Sequence, residues 1–193
     1  AMVKTRVPYF GSGNPEALAM ANRVAALVKQ TYADHRNYRG GPYTTGFWSM
    51  SQHVAYGSLT GAIASGRVAS KAFTPGLTPQ PGASKSFLDN IRDVAHLDPT
   101  SMDNNMAFNV KLTPCAHDSR EKTVGIMAAY VDTYFATGGM QIQFNVVTSE
   151  TLKEAMANPD AFRGLLVRIS GYNAYFVTLN RELQQELIER SEF

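Results

Sequence analysis

The sequence predicts an α/β fold, and three observations lead to that prediction. Helix-type and strand-type patterns alternate along the chain, as they do when helices pack against a sheet. Apolar residues make up 44% of the 193 residues, which is enough for a substantial core. Residues 1–69 and 70–193 are predicted to be two parts of one larger architecture, and a proline-rich loop at 73–83 lies just after the boundary between them.

The composition argues against several classes of function. The formal charge of +2 is too small and too dispersed to indicate a nucleic-acid or membrane surface. The sequence has no apolar run of about 18 residues, so we expect no transmembrane helix, and the N-terminus carries no secretion signal. The single cysteine, Cys115, and four histidines without ligand spacing indicate neither a disulfide framework nor a metal site. A reducing, cytoplasmic setting is therefore the default.

The first predicted element is a helix over roughly residues 15–36. Asn14 can cap it, and Pro15 and Glu16 suit its first turn. Apolar residues then recur at helical spacing: Leu18, Ala21, Ala25, Val28 and Tyr32. Two glycines and a proline at 40–42 end the segment.

The rest of the chain alternates strands, loops and helices. The pattern predicts, in order, an extended aromatic segment over 44–56, turns over 57–66, a loop over 73–83, a helix over 84–96 opened by Ser84, a strand over 107–112, a helix over 118–136, a strand over 140–147, a helix from 148 or 149 to 158, a buried strand over 165–169, extended structure over 175–177 and a final helix capped by Asn180. The helix over 118–136 is expected to bury one apolar side: Val124, Met127, Ala128, Val131 and Phe135. The final helix is expected to turn Leu183, Leu187 and Ile188 inward.

Gly171 has the most distinctive chemical setting, because it interrupts a short apolar run over residues 167–176. Loss of a Cα hydrogen from glycine leaves a radical that spreads over an amide nitrogen and a carbonyl. Since glycine has no Cβ, that centre can become planar and its backbone can adopt unusual φ and ψ values. Apolar neighbours would keep water and dioxygen away: Val167, Ile169, Tyr172, Tyr175 and Phe176. The alternative, which composition alone favours, is a glycine in a bulge or tight turn between two strands.

Two blocks of sequence resemble the glycyl radical enzyme family. Residues 167–190, VRISGYNAYFVTLNRELQQELIER, are similar to the family's C-terminal block around the radical glycine. Residues 138–145, GGMQIQFN, resemble the family's GGxQxQxN strand. Weaker family segments occur in the family's order at 9–11, 39–41, 61–67, 109–111 and 151–163. The resemblance therefore covers essentially the whole chain.

The resemblance implies a fold and a role for the chain. Family members, which include pyruvate formate-lyase, diol dehydratases, choline lyase, arylacetate decarboxylases and benzylsuccinate synthase, are ten-stranded α/β barrels that enclose a glycine loop. Residues 1–69 would be the C-terminal part of the barrel domain, and residues 70–193 the glycine radical domain. Gly171 would store a radical formed by an activating enzyme that uses S-adenosylmethionine and an iron–sulfur cluster. This chain itself would bind no cofactor or metal, and the full-length protein would form a homodimer.

One part of the family pattern is absent from these residues. The catalytic cysteine, which the glycyl radical oxidises to a thiyl radical, lies in family members in a Gly-Cys loop far upstream. Cys115 has neither that context nor that distance from Gly171, and we expect it to be a thiol without chemistry. The chain is therefore predicted to be the C-terminal portion of a longer enzyme for a small organic substrate, and inactive alone. Two alternatives stay open: a stand-alone radical-bearing spare-part subunit, and a plain α/β binding domain.

Three other candidate features have simple structural interpretations. Residues 11–13, Gly-Ser-Gly, lack the strand and helix of a phosphate-binding loop and are expected to form a turn. His53 could line a substrate cavity, but a hydrogen-bonded structural histidine is the favoured interpretation. Glu182 and Glu186 are expected on a solvated face of the final helix.

The aromatic segment 47–50 bears on the substrate. Phe47, Trp48 and Met50 have the alternating spacing of core residues, and we expect them to be core. As a substrate wall they would mildly favour a bulky or hydrocarbon substrate, as in fumarate addition or arylacetate decarboxylation. Dehydration of a small polyol stays open.

Overall fold

The structure of the chain, a computed structural model, describes residues 6–84, 86–113 and 119–190. Within this part, helices alternate with short strands, which confirms the α/β fold class. The helices are α1 (Pro15–Ala33), α2 (Gln52–Leu59), α3 (Phe87–Ala95), α4 (Arg120–Ala136), α5 (Ser149–Ala157) and α6 (Arg181–Glu189). The strands are β1 (Gly46–Phe47), β2 (Asn105–Met106), β3 (Asn109–Lys111), β4 (Gln143–Asn145), β5 (Leu166–Arg168) and β6 (Asn173–Tyr175). Single 3-10 turns lie at Pro99–Ser101, Pro159–Phe162 and Phe176–Thr178.

The strands of the described residues form two-stranded pairs. β1 and β2 are parallel, with Gly46 opposite Asn105. β3 and β4 are also parallel, with Val110 opposite Phe144, and α4 lies on the connection between them. Parallel strands need such long crossover connections. β5 and β6 are antiparallel, and the short turn between them contains Gly171.

Side-chain caps set the starts of several helices, as the sequence predicts. Asn14 accepts two backbone N–H groups of the first turn of α1. Asn180 does the same for one N–H group of α6, and Thr148 caps α5. These caps explain why the bounds of the three helices agree closely with the sequence pattern.

Several predicted elements were wrong. The extended structure predicted over 175–177 is the last residue of β6 followed by the 3-10 turn Phe176–Thr178. α3 begins after Ser86 rather than at Ser84, because the Ser84 hydroxyl contacts the Asp89 carboxylate at 2.6 Å and accepts the N–H of Ser86. The predicted extended segment 44–56 is only the short strand β1 followed by α2. The buried positions of α2 are His53, Val54 and Gly57, a helical spacing that the aromatic residues upstream obscured.

Two apolar clusters support the turn between β5 and β6. The first joins β5 to α5, α6 and the last 3-10 turn: Leu152, Ala155, Val167, Phe176, Leu187 and Ile188. The second joins α2 to the end of β5 and the start of α6 through Val54, Ile169 and Leu183. The predicted inward side of the final helix is thereby confirmed. Both clusters lie under the same turn, so packing holds its two strands from below.

The apolar side predicted for α4 is only partly buried. Two of its five residues are half-buried: Met127 and Val131. Val124 is 57% exposed and Phe135 is 48% exposed, whereas Tyr134 is fully buried. Tyr130 makes an edge-to-face contact with Phe87 of α3, with ring centroids 4.7 Å apart. The helix therefore docks through its two tyrosines, because their large rings bury more area against α3 and β3 than the smaller apolar residues would. The apolar side chains of Val124 and Phe135 are exposed in this chain.

Gly139 offers a test of the tyrosine docking. A Cβ at Gly139 would overlap the buried ring of Tyr134, so Gly139→Ala should lower the free energy of unfolding by about 1–3 kcal/mol. Gly125 is the matched control, because it lies in α4 with open space around it, and Gly125→Ala should raise stability by about 1 kcal/mol. Urea unfolding measures both variants, and an equal effect of the two substitutions would contradict this packing.

Candidate functional site

Gly171 lies in the tight turn that joins β5 to β6. Its φ is +85°, a left-handed value that favours glycine. The N–H of Ile169 donates to the carbonyl oxygen of Tyr172 at 3.0 Å and closes the turn. The backbone thus forms a tight turn at Gly171 between two strands, which was one of the two interpretations of the sequence. The turn interpretation and the radical interpretation are compatible, since both require a residue without a side chain here.

The peptide between Ser170 and Gly171 is bonded at both ends. Its carbonyl oxygen accepts a hydrogen bond from the indole Nε1 of Trp48 at 3.0 Å. Its N–H donates to Oε1 of Gln143, also at 3.0 Å. The indole comes so close that a Cβ at Gly171 would lie 2.8 Å from Nε1. Trp48 is half-exposed and Met50 is exposed, so the prediction that they are core residues is wrong.

The polar residues of the GGMQIQFN segment account for its spacing. Gln143 and Asn145 alternate along β4 and therefore share a face, and Gln141 lies two residues before the strand begins. Gln141 Oε1 accepts the N–H of Phe108 at 3.1 Å. Gln143 Oε1 accepts Nε of Arg168 at 2.6 Å besides the N–H of Gly171. The amide of Asn145 bonds both the N–H and the carbonyl of Arg168, at 3.3 and 3.2 Å. This strand thus holds the turn through side-chain amides instead of a backbone ladder.

A buried ion pair supports the turn from the other side. Arg190 binds Glu186 with two hydrogen bonds of 2.8 Å and donates from Nη1 to the carbonyl oxygen of Ile169 at 3.0 Å. Glu186 is only 7% exposed, so its predicted place on a solvated face is wrong, whereas Glu182 is exposed as expected. The helix turns Glu186 inward because Arg190, one turn later, neutralises it there.

His53 is a structural histidine, as the favoured interpretation has it. It is buried, with Nδ1 3.1 Å from the Ser49 hydroxyl and Nε2 3.3 Å from Oε2 of Glu186, at an angle outside hydrogen-bond geometry. Burial opposes ionisation of Glu186, but the Arg190 charge and the neighbouring His53 outweigh it and hold the pKa of Glu186 below its usual value. Glu186 is therefore the charged centre of a network that links α2, α6 and the glycine turn.

Lys111 is a buried polar residue whose role the sequence did not reveal. Its Nζ donates to the Ser149 hydroxyl at 2.7 Å and to the carbonyl oxygen of Ile188 at 2.9 Å. A cation at the C-terminal end of α6 is favoured by the helix dipole. The sequence offered one signal: Lys111 lies in the predicted strand 107–112, whose other residues are all apolar except Asn109. Lys111 joins β3 to the helix that carries Glu186.

An open groove of about 430 Å³ lies beside Gly171. It is lined by Trp48, Asn104, Asn105, Met106, Ala107, Gln141 and Gln143. The apolar wall predicted around Gly171 does not enclose it: Val167, Ile169 and Phe176 belong to the clusters beneath the turn, and Gly171 itself is exposed. Adjacent residues on a strand point to opposite faces, which places alternate members of the run in the core.

The remaining sequence candidates have defined outcomes. Residues 11–13 form the expected turn, and Asp93 Oδ2 accepts the N–H groups of Gly11 and Gly13 at 2.7 and 3.1 Å. Cys115 and His117 lie outside the described residues. Across the described ranges there is no group of three or more His, Cys, Asp or Glu residues that could hold a metal ion. In those same ranges, no helix has both the length and the apolarity to cross a bilayer.

Two family models match the chain. The model described as Glycine radical matches residues 73–177, more than half of the chain, and the model described as Pyruvate formate lyase-like matches residues 1–57. This chain belongs to the glycyl radical enzyme family. The resemblance predicted from residues 138–145 and 167–190 is thereby confirmed.

Relatives and solved structures in the glycyl radical enzyme family align along nearly the whole chain. Indoleacetate decarboxylase of Tractidigestivibacter scatoligenes is 34% identical over 188 residues, 96% of this chain. Trans-4-hydroxy-L-proline dehydratase of Clostridioides difficile is 28% identical and matches 99% of it. The B12-independent glycerol dehydratase of Clostridium butyricum superposes with a TM-score of 0.92 over 99% of the chain at 30% identity. The chain spans only 21%, 24% and 24% of these three proteins, respectively. The described chain is thus a small α/β portion, consistent with the C-terminal part of a glycyl radical enzyme barrel.

The buried ion pair predicts an acid-sensitive contribution to stability. Glu186→Gln should lower the free energy of unfolding at neutral pH by about 3–5 kcal/mol, because it leaves Arg190 buried without its partner. The folded pKa of Glu186 lies below its usual 4.5, so the contribution is full above that pH and is lost as the pH falls below it. The difference between the variant and the unsubstituted chain should therefore shrink in acid.

Glu182 supplies the control for this measurement. It lies on the same helix but is exposed, so Glu182→Gln should change stability by no more than about 0.5 kcal/mol at any of these pH values. Urea unfolding between pH 3 and pH 7 measures both variants. Equal losses for the two glutamates would show that the ion pair contributes nothing.

The close approach of Trp48 to Gly171 predicts a fluorescence change. Gly171→Ala would place a Cβ against the indole and strain a left-handed backbone, so the emission of Trp48, the only tryptophan of the 193 residues, should shift. Gly164→Ala is the control, because a Cβ there meets open space. An unchanged emission spectrum in Gly171→Ala would contradict the contact.

Proposed function

We propose that this chain is the radical-storing C-terminal portion of a longer glycyl radical enzyme, with Gly171 as the residue that bears the radical. The observation that carries the proposal is the pair of hydrogen bonds that hold the 170–171 peptide from both ends, within a chain of this family. In support of it, Gly171 lies within the region matched by the Glycine radical model and in the segment 167–190, which resembles the family's block around the radical glycine. A positive φ and the adjoining indole both require a residue without a Cβ at this position.

The proposed chemistry needs residues that this chain does not contain. The glycyl radical would generate a thiyl radical on a cysteine outside the chain, which would then carry out anaerobic C–C, C–O or C–N bond chemistry on a small organic substrate. The groove beside Gly171 is the side from which that cysteine would approach. Alone, the chain would be inactive.

The proposal includes partners and a division into domains. A radical S-adenosylmethionine enzyme would activate Gly171 in an anaerobic cytoplasm, and the full-length protein would form a homodimer. Residues 1–69 would complete the barrel domain and residues 70–193 would form the glycine radical domain. This boundary falls between the two matched regions, which end at 57 and begin at 73.

The similar proteins carry out more than one type of reaction. Indoleacetate decarboxylase of Tractidigestivibacter scatoligenes is 34% identical to the chain. A solved structure for 1,2-propanediol dehydration in Roseburia inulinivorans is also 34% identical to it. The aromatic segment 47–50 no longer favours a bulky substrate, because Trp48 contacts the glycine turn. The match of residues 1–57 to the pyruvate formate lyase-like model supports a portion of a longer enzyme over a spare-part subunit. Restored activity after mixing this chain with an oxygen-cleaved enzyme would reverse that preference.

Electron paramagnetic resonance tests the role of Gly171. The full-length protein that contains this chain is incubated anaerobically with its activating enzyme and S-adenosylmethionine. We expect a doublet signal in the unsubstituted protein and in Gly164→Ala, and none in Gly171→Ala. Air should then cleave the activated chain near Gly171, which mass spectrometry of the fragments detects. A doublet that persists in Gly171→Ala would refute the assignment.

A further inference from the structure

Trp48 touches the glycine turn in two ways, and the two have different chemical consequences. Its N–H bonds the carbonyl oxygen of Ser170, and its ring lies against the α-carbon of Gly171. In sequence, Trp48 is 122 positions from its hydrogen-bond acceptor, so the contact joins distant parts of the chain. Trp48 is 47% exposed, so burial of its ring in the core of this chain does not explain its position. Its contacts with the glycine turn do.

The N–H of Trp48 acts on the orientation of one peptide plane. Gln143 accepts the N–H of Gly171, and Trp48 donates to the carbonyl at the other end of the same peptide. Two hydrogen bonds from separate parts of the chain prevent that plane from rotating. A radical at the α-carbon is conjugated with this peptide only as far as the peptide plane is aligned with the trigonal carbon, so the plane controls how the unpaired electron spreads.

The ring of Trp48 covers one side of the α-carbon. A Cβ built on Gly171 would lie 2.8 Å from Nε1 and 3.2 Å from Cε2 and Cζ2 of the indole. The hydrogen of Gly171 that occupies the side-chain position therefore points at the indole. On that side, an apolar ring excludes small molecules that would otherwise reach the carbon.

The residues that follow Trp48 fix the position of its backbone. Met50 has a φ of +48°, an uncommon value for a residue with a side chain. The Ser49 hydroxyl is 3.1 Å from Nδ1 of the buried His53, and the N–H of Gln52 donates to the carbonyl of Ser49 at 2.8 Å. The tryptophan is thus anchored through its neighbour to the same buried network that supports the turn from α6.

We propose that Trp48 is a positioning residue for the radical-bearing glycine. Its N–H orients the 170–171 peptide, and its ring shields one side of the Gly171 α-carbon from dioxygen. This inference rests on the proposed function, because it gives Trp48 a role only if Gly171 holds the radical. It predicts two separable effects of substitution, one on the spectrum of the radical and one on its lifetime.

The experiment compares three variants of the full-length protein after anaerobic activation. Trp48→Phe keeps an aromatic ring but removes the donor, and Trp48→Ala removes both. Tyr38→Ala is the control, because Tyr38 is an aromatic residue that is 89% exposed. The doublet splitting is recorded by electron paramagnetic resonance, and air is then admitted to measure the half-life of the signal.

We expect Trp48→Phe to change the doublet splitting and to leave the half-life in air unchanged, because the ring remains. Trp48→Ala should change the splitting and also shorten the half-life several-fold, because the ring is lost, and Tyr38→Ala should change neither quantity. An unaltered splitting in Trp48→Phe, or an unaltered half-life in Trp48→Ala, beside a doublet in the unsubstituted protein, would overturn this inference and leave the proposed function intact. Absence of a doublet in the unsubstituted protein would overturn both.

Discussion

The arrangement around Gly171 depends on the hydrogen bonds of the buried Arg190 guanidinium. It is held by two hydrogen bonds to Glu186 and reaches the backbone of β5 at the carbonyl oxygen of Ile169. Glu186 in turn lies against His53 of α2. The two charges are tolerable at this depth because Glu186 and Arg190 neutralise each other, and removal of one leaves the other uncompensated. The network therefore fixes α2, α6 and the glycine turn relative to one another.

The turn is held largely by side chains rather than by a continuous sheet. Among the described residues, β5 and β6 pair only with each other, and the neighbouring strand β4 reaches β5 through the amides of Gln143 and Asn145. An amide side chain offers a donor and an acceptor, so it can satisfy a backbone that turns away from the strand direction. The alternating polar pattern of residues 138–145 follows from this arrangement, because only one face of the strand meets the turn.

Local signals in the sequence predicted much of this fold. Caps such as Asn14 and Asn180 act within a few residues, and the left-handed turn at Gly171 needs only glycine and its strand neighbours. The failures involve partners that are distant in sequence. Glu186 was expected in solvent because the helix that covers it, α2, is distant in sequence. His53 of α2 lies more than a hundred positions away, although the ion-pair partner Arg190 is only one turn later.

The predictions for Trp48 and α4 were wrong for the same reason, because each depended on a partner that is distant in sequence. The indole was expected in the core, but its placement depends on a carbonyl of the glycine turn, which no local pattern encodes. The apolar residues predicted to share the buried side of α4 are divided between half-buried and exposed positions, because the helix packs on α3 through Tyr130 and Tyr134. Periodicity reports which residues share a face and leaves open which face the rest of the chain covers.

The sequence separation of the contacts around the turn has a consequence for biosynthesis. Trp48 precedes Gly171, whereas Arg190 follows it, and each supplies a hydrogen bond to the same few backbone atoms. On the ribosome, the turn cannot acquire its full set of bonds until α6 has emerged from the exit tunnel. Contacts of such high sequence separation form slowly, so we expect the turn to become ordered after the local helices around it. The glycine turn would thus be assembled only after the scaffold around it is in place.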